Sequence, residues 1–213
     1  MTTHPAELVF ILDRSGSMGG LERDTIGGFN GMIEKQKNEA GEAFVTTVLF
    51  DHEYELLHDR LPLPLVPPMT EKEYFVRGST ALLDAVGKTI ARIAHLRRTA
   101  PDGERAGRVL FVIITDGMEN ASREFTYNTV TRMIDEKRRR FGWEFLFLGA
   151  NMDAVAAAAR MGIGRDRAVN YHADSMGTQL NYMVLNETIT MVRTKDHIPE
   201  NWKEAIEKDY KSR

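Results

Sequence analysis

The sequence predicts a doubly wound α/β fold, a mostly parallel sheet with one antiparallel edge strand, flanked by helices. Three observations carry that expectation. Segments of strand character alternate with segments whose apolar residues recur at helical spacing, the pattern of successive βα units. Two strand segments, Leu8 to Leu12 and Val109 to Ile114, are continuous apolar runs, as central strands covered on both faces should be. Both runs end abruptly on oxygen-bearing side chains: Asp13 with Ser15 and Ser17, and Thr115 with Asp116. In open α/β sheets the carboxyl ends of the strands are where ligands bind.

Taken in order, the first strand leads through Met18-Gly19-Gly20 into a helix with Leu21, Ile26, Phe29 and Ile33 as its apolar positions. Gly27, Gly28 and Gly31 weaken that helix by up to ~1 kcal/mol each relative to Ala. They are expected to let it approach a neighbour closely, here the sheet. Residues 43–51 are rich in β-branched and aromatic types and read as a second strand. Asp51-His52 turns the chain, and Tyr54 to His58 returns antiparallel as an edge strand. Leu61 to Pro68 carries four prolines and is expected to be an extended connection along the surface. A short turn, Glu71 to Phe75, then leads to the loop Gly78-Ser79-Thr80.

From Thr80 to about Arg97, Leu82, Leu83, Val86, Ile90 and Ile93 recur at helical spacing. Thr99 to Gly107 reads as a polar loop before the fourth strand, Arg108 to Thr115. Thr126 to Arg140 is a helix with Val130, Met133, Ile134 and Phe141 expected on one inward face. Trp143 to Leu148 is a fifth strand, Asp153 to Met161 an alanine-rich helix closed by Gly162, and Arg167 to Tyr171 a short sixth strand. A last long helix spans about Ser175 to Arg193, with Leu180, Val184, Thr188 and Met191 inward. Beyond it, Trp202, Ile206 and Tyr210 fall at i, i+4 and i+8, a tail helix whose apolar face is expected to pack back on the domain.

Composition narrows the function classes. The chain has 213 residues, enough for one sizeable core, with 42% hydrophobic and 28% charged residues as in ordinary soluble proteins. The net charge of −3 offers no field for steering onto nucleic acid or an anionic membrane. No apolar run approaches the ~20 residues needed to span a bilayer. The first residues lack the charged and apolar regions of a signal peptide. With no cysteine, disulfides, thiol catalysis and sulfur-ligated metals are excluded. A cytoplasmic bacterial protein is expected, and the two Asn-x-Ser/Thr sequons at Asn120 and Asn186 then carry no glycan. The histidines at 4, 52, 58, 95, 172 and 197 show no ligand spacing, and Lys137 to Arg140 complement the dipole at a helix end.

Asp13-Arg14-Ser15-Gly16-Ser17 places one carboxylate and two hydroxyls together at a strand end, donors suited to a hard cation such as Mg²⁺ or Mn²⁺. Alone, the triplet is equally a capped turn. Two later stretches change the weighing: Gly78-Ser79-Thr80 running into a helix, and Thr115-Asp116-Gly117 after the fourth strand. Together the three resemble the metal-ion-dependent adhesion site of von Willebrand factor type A domains, over roughly residues 6–195. The resemblance implies a sheet order of 3-2-1-4-5-6 and a Rossmann-like domain over 1–195, with 196–213 as a C-terminal helical tail. It implies that Ser15, Ser17 and Thr80 ligate Mg²⁺ or Mn²⁺ directly, and that Asp13 and Asp116 act mainly through water.

The function it implies is a protein-binding module in which a partner presents Glu or Asp to the ion, with no catalysis of its own. Met18 and Met118, each beside a metal-binding segment, are the expected apolar rim of that contact. Glu119 and Asn120 could tune the site, although Glu119 is expected to lie in solvent. An adaptor subunit of an ATPase or chelatase complex is compatible with the same reading. The alternative is a phosphoryl-transfer or hydrolytic enzyme using the same metal on a Rossmann-like fold. A haloacid-dehalogenase-like site needs a second carboxylate where Ser15 stands. A receiver domain needs an acidic pair and a lysine that are not visible. Gly-x-Gly-x-x-Gly and Gly-x-Ser-x-Gly are both absent after the first strand.

Overall fold

The structure, a computed structural model, describes residues 4–101, 106–195 and 197–213. The strands are β1 (Ala6–Asp13), β2 (Ala43–Phe50), β3 (Tyr54–Pro62), β4 (Arg108–Thr115), β5 (Glu144–Gly149) and β6 (Ala168–Asn170). The helices are α1 (Glu22–Lys37), α2 (Leu82–Thr99), α3 (Tyr127–Phe141), α4 (Ala154–Arg160), α5 (Ser175–Lys195) and α6 (Glu204–Ser212). The six strands form one sheet in the order β3-β2-β1-β4-β5-β6, with β2 and β3 antiparallel and every other pair parallel. The chain thus reverses its direction of winding between β1 and β4, and the ends of those strands lie side by side.

The period of two along β1 sends its side chains alternately to two cores. Leu8, Phe10 and Leu12 face α1, α5 and α6, where Phe29, Leu185, Ile189 and Ile206 are buried. Val9 and Ile11 face α2, α3 and α4, with Val86, Ile90, Val130, Ile134 and Ala158. Phe10 meets Phe29 edge to face at 5.4 Å, and Phe111 stacks on Phe145 at 4.8 Å, geometries that aromatic quadrupoles favour. Because both faces are covered, every residue of β1 is buried. No helix among the described residues is long and apolar enough to cross a membrane.

Three expectations about packing are corrected. The glycines of α1 do not bring it onto the sheet: a Cβ on Gly28 would lie 2.2 Å from the Tyr182 ring of α5, whereas Gly27 and Gly31 face open space. The close approach is helix to helix. The proline-rich segment lies along the surface with its four prolines exposed, as expected, but it is not extended throughout, since Leu63–Leu65 form a 3-10 turn. β3 runs on to Pro62, tolerable on an edge strand, and Leu63, Val66, Met69 and Tyr74 are then buried against the α1 side of the core. Phe141 is 45% exposed because Gly142, at φ 64, ends α3 there. Cations ring the Phe141 side chain, Lys137 at 5.2 Å and Arg140 at 5.9 Å from its centroid.

The tail packs as expected. Trp202 and Ile206 join the α1-side core, and the Trp202 indole N–H donates to the Asp166 carbonyl at 2.8 Å. Tyr210 stacks on His172 at the rim. Residues 102–105 of the expected polar loop lie outside the described residues.

Candidate metal centre

The site forms where β1 and β4 end, and each piece is held by local chemistry. After Asp13 the chain cannot continue as a strand, because Ser15 N–H turns back to donate to Asp13 Oδ1 at 2.7 Å. That turn sets Ser15 and Ser17 on one side, with their hydroxyl oxygens 3.2 Å apart. Thr80, two residues before α2, brings its hydroxyl within 3.0 Å of Ser15 Oγ. Ser17 Oγ donates to Asp116 Oδ1 at 2.6 Å. The five residues expected from the sequence, Asp13, Ser15, Ser17, Thr80 and Asp116, therefore lie in one connected cluster drawn from three loops.

Gly117 shows how tightly the hydroxyls converge. A Cβ there would lie 2.8 Å from Thr80 Oγ1, 3.0 Å from Ser17 Oγ and 3.5 Å from Ser15 Oγ. One point is thus within contact of all three oxygens, and only glycine leaves it free.

The two carboxylates differ. Asp13 is 1% exposed and both its oxygens are engaged, Oδ1 by Ser15 N–H and Oδ2 by the Thr115 hydroxyl at 2.5 Å. Burial pushes its carboxyl up to about 6; the Thr115 and Ser15 hydrogen bonds oppose that shift, and the Asp116 charge adds to it. Asp116 is also raised, chiefly by burial, with the Ser17 hydrogen bond opposing. Its Oδ2 is buried and has no hydrogen-bond partner. Two buried carboxylates, one with an unpartnered oxygen, are a site short of positive charge.

Sequence reasoning missed what holds the third loop in place. Asn120 clamps Thr80: its Oδ1 accepts Thr80 N–H at 2.9 Å, and its own N–H donates to the Thr80 carbonyl at 3.0 Å. Glu119 is not the solvent-facing residue expected. Its carboxylate accepts Leu83 N–H at 2.9 Å, and Ser122 N–H and hydroxyl at 2.8 Å each. Ala81, at the start of α2, offers no side-chain cap, so Glu119 satisfies an otherwise orphaned helix N–H and places negative charge at the positive end of the dipole. Asp84 completes the clamp by accepting the N–H groups of Arg123, Glu124 and Phe125 at 2.8 to 3.0 Å. Glu119 and Asp84 stand plainly in the sequence, but the N–H donors that each one meets were not legible there.

The expected rim is half corrected. Met118 is 65% exposed beside the cluster, whereas Met18 is 2% exposed and belongs to the interior. The single 3-10 turn over Gly16–Met18 rotates Met18 inward while leaving Ser17 outward. Among the described residues no group of three or more His, Asp or Glu residues is placed to hold a metal ion. The other side-chain oxygens of the cluster are the hydroxyls of Ser15, Ser17 and Thr80.

No protein-family model matches this chain, and no curated protein matches it. Solved structures do. The vWF domain of the type V pili tip protein Mfa5 from Porphyromonas gingivalis aligns at a TM-score of 0.64 and 11% identity, covering 93% of this chain and 99% of that one. A von Willebrand factor type A protein from Catenulispora acidiphila aligns at 0.57 and 14% identity, covering 88% and 43%. Proximal thread matrix protein 1 from the mussel byssus, in a structure with a zinc-occupied MIDAS motif, aligns at 0.58 and 12% identity, covering 89% and 46%. This chain spans less than half the length of the latter two. At such identities the likeness speaks for architecture, and it agrees with the observed strand order: the chain has the von Willebrand factor type A fold.

Proposed function

We propose that this domain is a divalent-cation-dependent protein-binding module. Ser15, Ser17 and Thr80 hold Mg²⁺ or Mn²⁺ directly, and Asp13 and Asp116 support it mainly through water. The observation that carries the reading is the convergence of three neutral hydroxyls beside a buried carboxylate oxygen without a partner. Octahedral Mg²⁺ holds oxygens at about 2.1 Å, so adjacent ligands lie about 3.0 Å apart. The hydroxyl separations of 3.0 and 3.2 Å match that edge, and the residues present fit the ion.

The bound ion would supply a Lewis-acidic position for an external carboxylate oxygen, because neutral hydroxyls leave much of its charge uncancelled. This chain's residues do the rest. Asp13 fixes the Ser15 turn and Thr115, and Asn120 fixes Thr80. Met118 supplies apolar cover that keeps water from the charged contact, where the attraction is larger in a lower dielectric. The partner is accordingly a protein presenting Glu or Asp. The zinc-occupied motif of the mussel protein supports a divalent ion at such a site. We read the site as binding rather than catalytic: the one carboxylate that accepts from these hydroxyls, Asp116 at 2.6 Å from Ser17 Oγ, is assigned to supporting the ion rather than to activating a nucleophile.

The test is calorimetric titration of the chelator-stripped protein with Mg²⁺ and Mn²⁺, repeated on Thr80→Ala, followed by capture of an acidic peptide library with and without ion. One ion per chain, lost in Thr80→Ala, and capture that requires the ion are expected. Stoichiometric binding unaffected by Thr80→Ala, or capture unchanged in chelator, would overturn the reading.

A further inference from the structure

Arg14 stands between Asp13 and Ser15, at the mouth of the cluster, yet its side chain is fully buried. A guanidinium is rarely buried unless it is paired, and here its partners come from two other loops and from β3. Arg14 Nε donates to Asp51 Oδ2 at 2.9 Å, Nη1 donates to the Glu73 carbonyl at 2.9 Å, and Nη2 lies 2.8 Å from Glu55 Oε2. Arg77, three residues before Thr80, donates from Nε to the same Asp51 Oδ2 at 2.8 Å. The Phe75 ring lies against both guanidinium groups, at 5.2 Å from Arg14 and 5.4 Å from Arg77.

Asp51 is the centre of this arrangement. It is fully buried, its Oδ1 accepts Glu53 N–H at 2.7 Å, and its backbone carbonyl accepts Ala81 N–H at 2.8 Å. Burial alone would raise its carboxyl, but Arg77, the Glu53 N–H and Arg14 outweigh that and hold it below the usual aspartate range. One carboxylate therefore ties the loop carrying Ser15 and Ser17 to the loop carrying Thr80, 65 residues apart in sequence. Main-chain bonds run alongside, Arg77 N–H to the Arg14 carbonyl at 2.9 Å and Gly16 N–H to the Gly78 carbonyl at 3.2 Å.

We propose that Asp51, acting through Arg14 and Arg77, is the positioning residue that sets the spacing between the two hydroxyl-bearing loops and so makes the site selective for a small octahedral ion. This rests on the metal-site reading above. Mg²⁺ demands near-ideal octahedral geometry, whereas Ca²⁺ accepts longer and more irregular coordination. Loosening the tie between the loops therefore penalises Mg²⁺ more than Ca²⁺. A merely structural role would weaken both ions alike.

The experiment measures Mg²⁺ and Ca²⁺ affinity by calorimetry on wild type, Asp51→Asn, Arg77→Ala and, as a control, Arg92→Ala, which loses only an exposed pair with Asp59. Circular dichroism melts report folding. Asp51→Asn keeps the shape and removes the charge. Its Mg²⁺ affinity is expected to fall about 10- to 100-fold, the range seen for residues that orient ligands, with a smaller loss for Ca²⁺. Arg77→Ala, at a half-exposed position that leaves the Arg14 pair intact, should move in the same direction by less. If Asp51→Asn does not fold, Arg77→Ala decides. Folded variants whose Mg²⁺ affinity is unchanged, or that lose Mg²⁺ and Ca²⁺ by the same factor, would overturn the inference. A wild-type protein that binds neither ion would overturn the metal-site reading itself and this inference with it.

Discussion

Replacing Asp13 by Asn should stabilise the metal-free protein at neutral pH, although Asp13 belongs to the proposed metal site. Its carboxyl is pushed from 3.8 in the unfolded chain up to about 6 in the fold. A carboxyl raised in this way favours the folded state only while it is protonated. That stability is fully present below about 3.8 and lost as pH rises through about 6. At 1.36 kcal/mol per unit, the loss is about 3 kcal/mol at pH 7.5. Asn has no charge to desolvate and can keep the local hydrogen bonds. Its Oδ1 accepts Ser15 N–H, and Nδ2 donates to Thr115 Oγ1, whose own proton has the Gly117 carbonyl 3.1 Å away. Urea unfolding of both proteins in chelator from pH 4 to pH 8 checks this. The two should nearly converge at pH 4, diverge progressively between about pH 4 and pH 6, and stay apart above that with the Asn variant the more stable. Asp116 is raised by burial in both proteins, and the loss of its repulsion with Asp13 works in the same direction, toward the Asn variant. In millimolar Mg²⁺ the gap should narrow, since the wild type gains binding free energy, and the order reverses once Mg²⁺ exceeds its Kd by about 150-fold. An Asn variant less stable than wild type in chelator at pH 7.5, or a difference independent of pH, would refute the reasoning.

Gly117→Ala should weaken Mg²⁺ binding measured by calorimetry, since its Cβ would sit 2.8 Å from Thr80 Oγ1 in the space the ion needs. Glu119→Ala removes the cap on α2 and should lower stability by about 0.5–2 kcal/mol in urea melts, with a parallel loss of Mg²⁺ affinity as the loop holding Thr80 slackens. Ile206→Ala, 1% exposed within the α1-side core, should cost about 2–5 kcal/mol in the same melts; a change below about 0.5 kcal/mol, the range of surface substitutions, would mean that α6 does not help hold the fold.

Length and periodicity made the alternation of strands and helices legible, because burial on both faces leaves continuous apolar runs that no half-exposed strand shows. The five polar residues that the structure brings together were equally legible. Asp13, Ser15, Ser17, Thr80 and Asp116 are short polar residues placed directly after apolar runs or before a helix, where a chain turns. Those features are local, and local sequence determines them. What tertiary structure decided was which long-range partner each polar group found. Arg14 could have lain in solvent; it is buried because Asp51, Glu55 of β3 and the Glu73 carbonyl meet it from segments that only the sheet order brings near. Glu119 turned inward because the start of α2 offered unpaired N–H groups and no side-chain cap of its own. Gly28 met Tyr182 of α5 rather than the sheet, since helical periodicity fixes which residues share a face but not what that face meets. Met18 and Met118, alike in sequence position, parted because one 3-10 turn rotates the first into the core. A residue's neighbours along the chain set its backbone geometry, while burial and pairing depend on contacts tens of residues away.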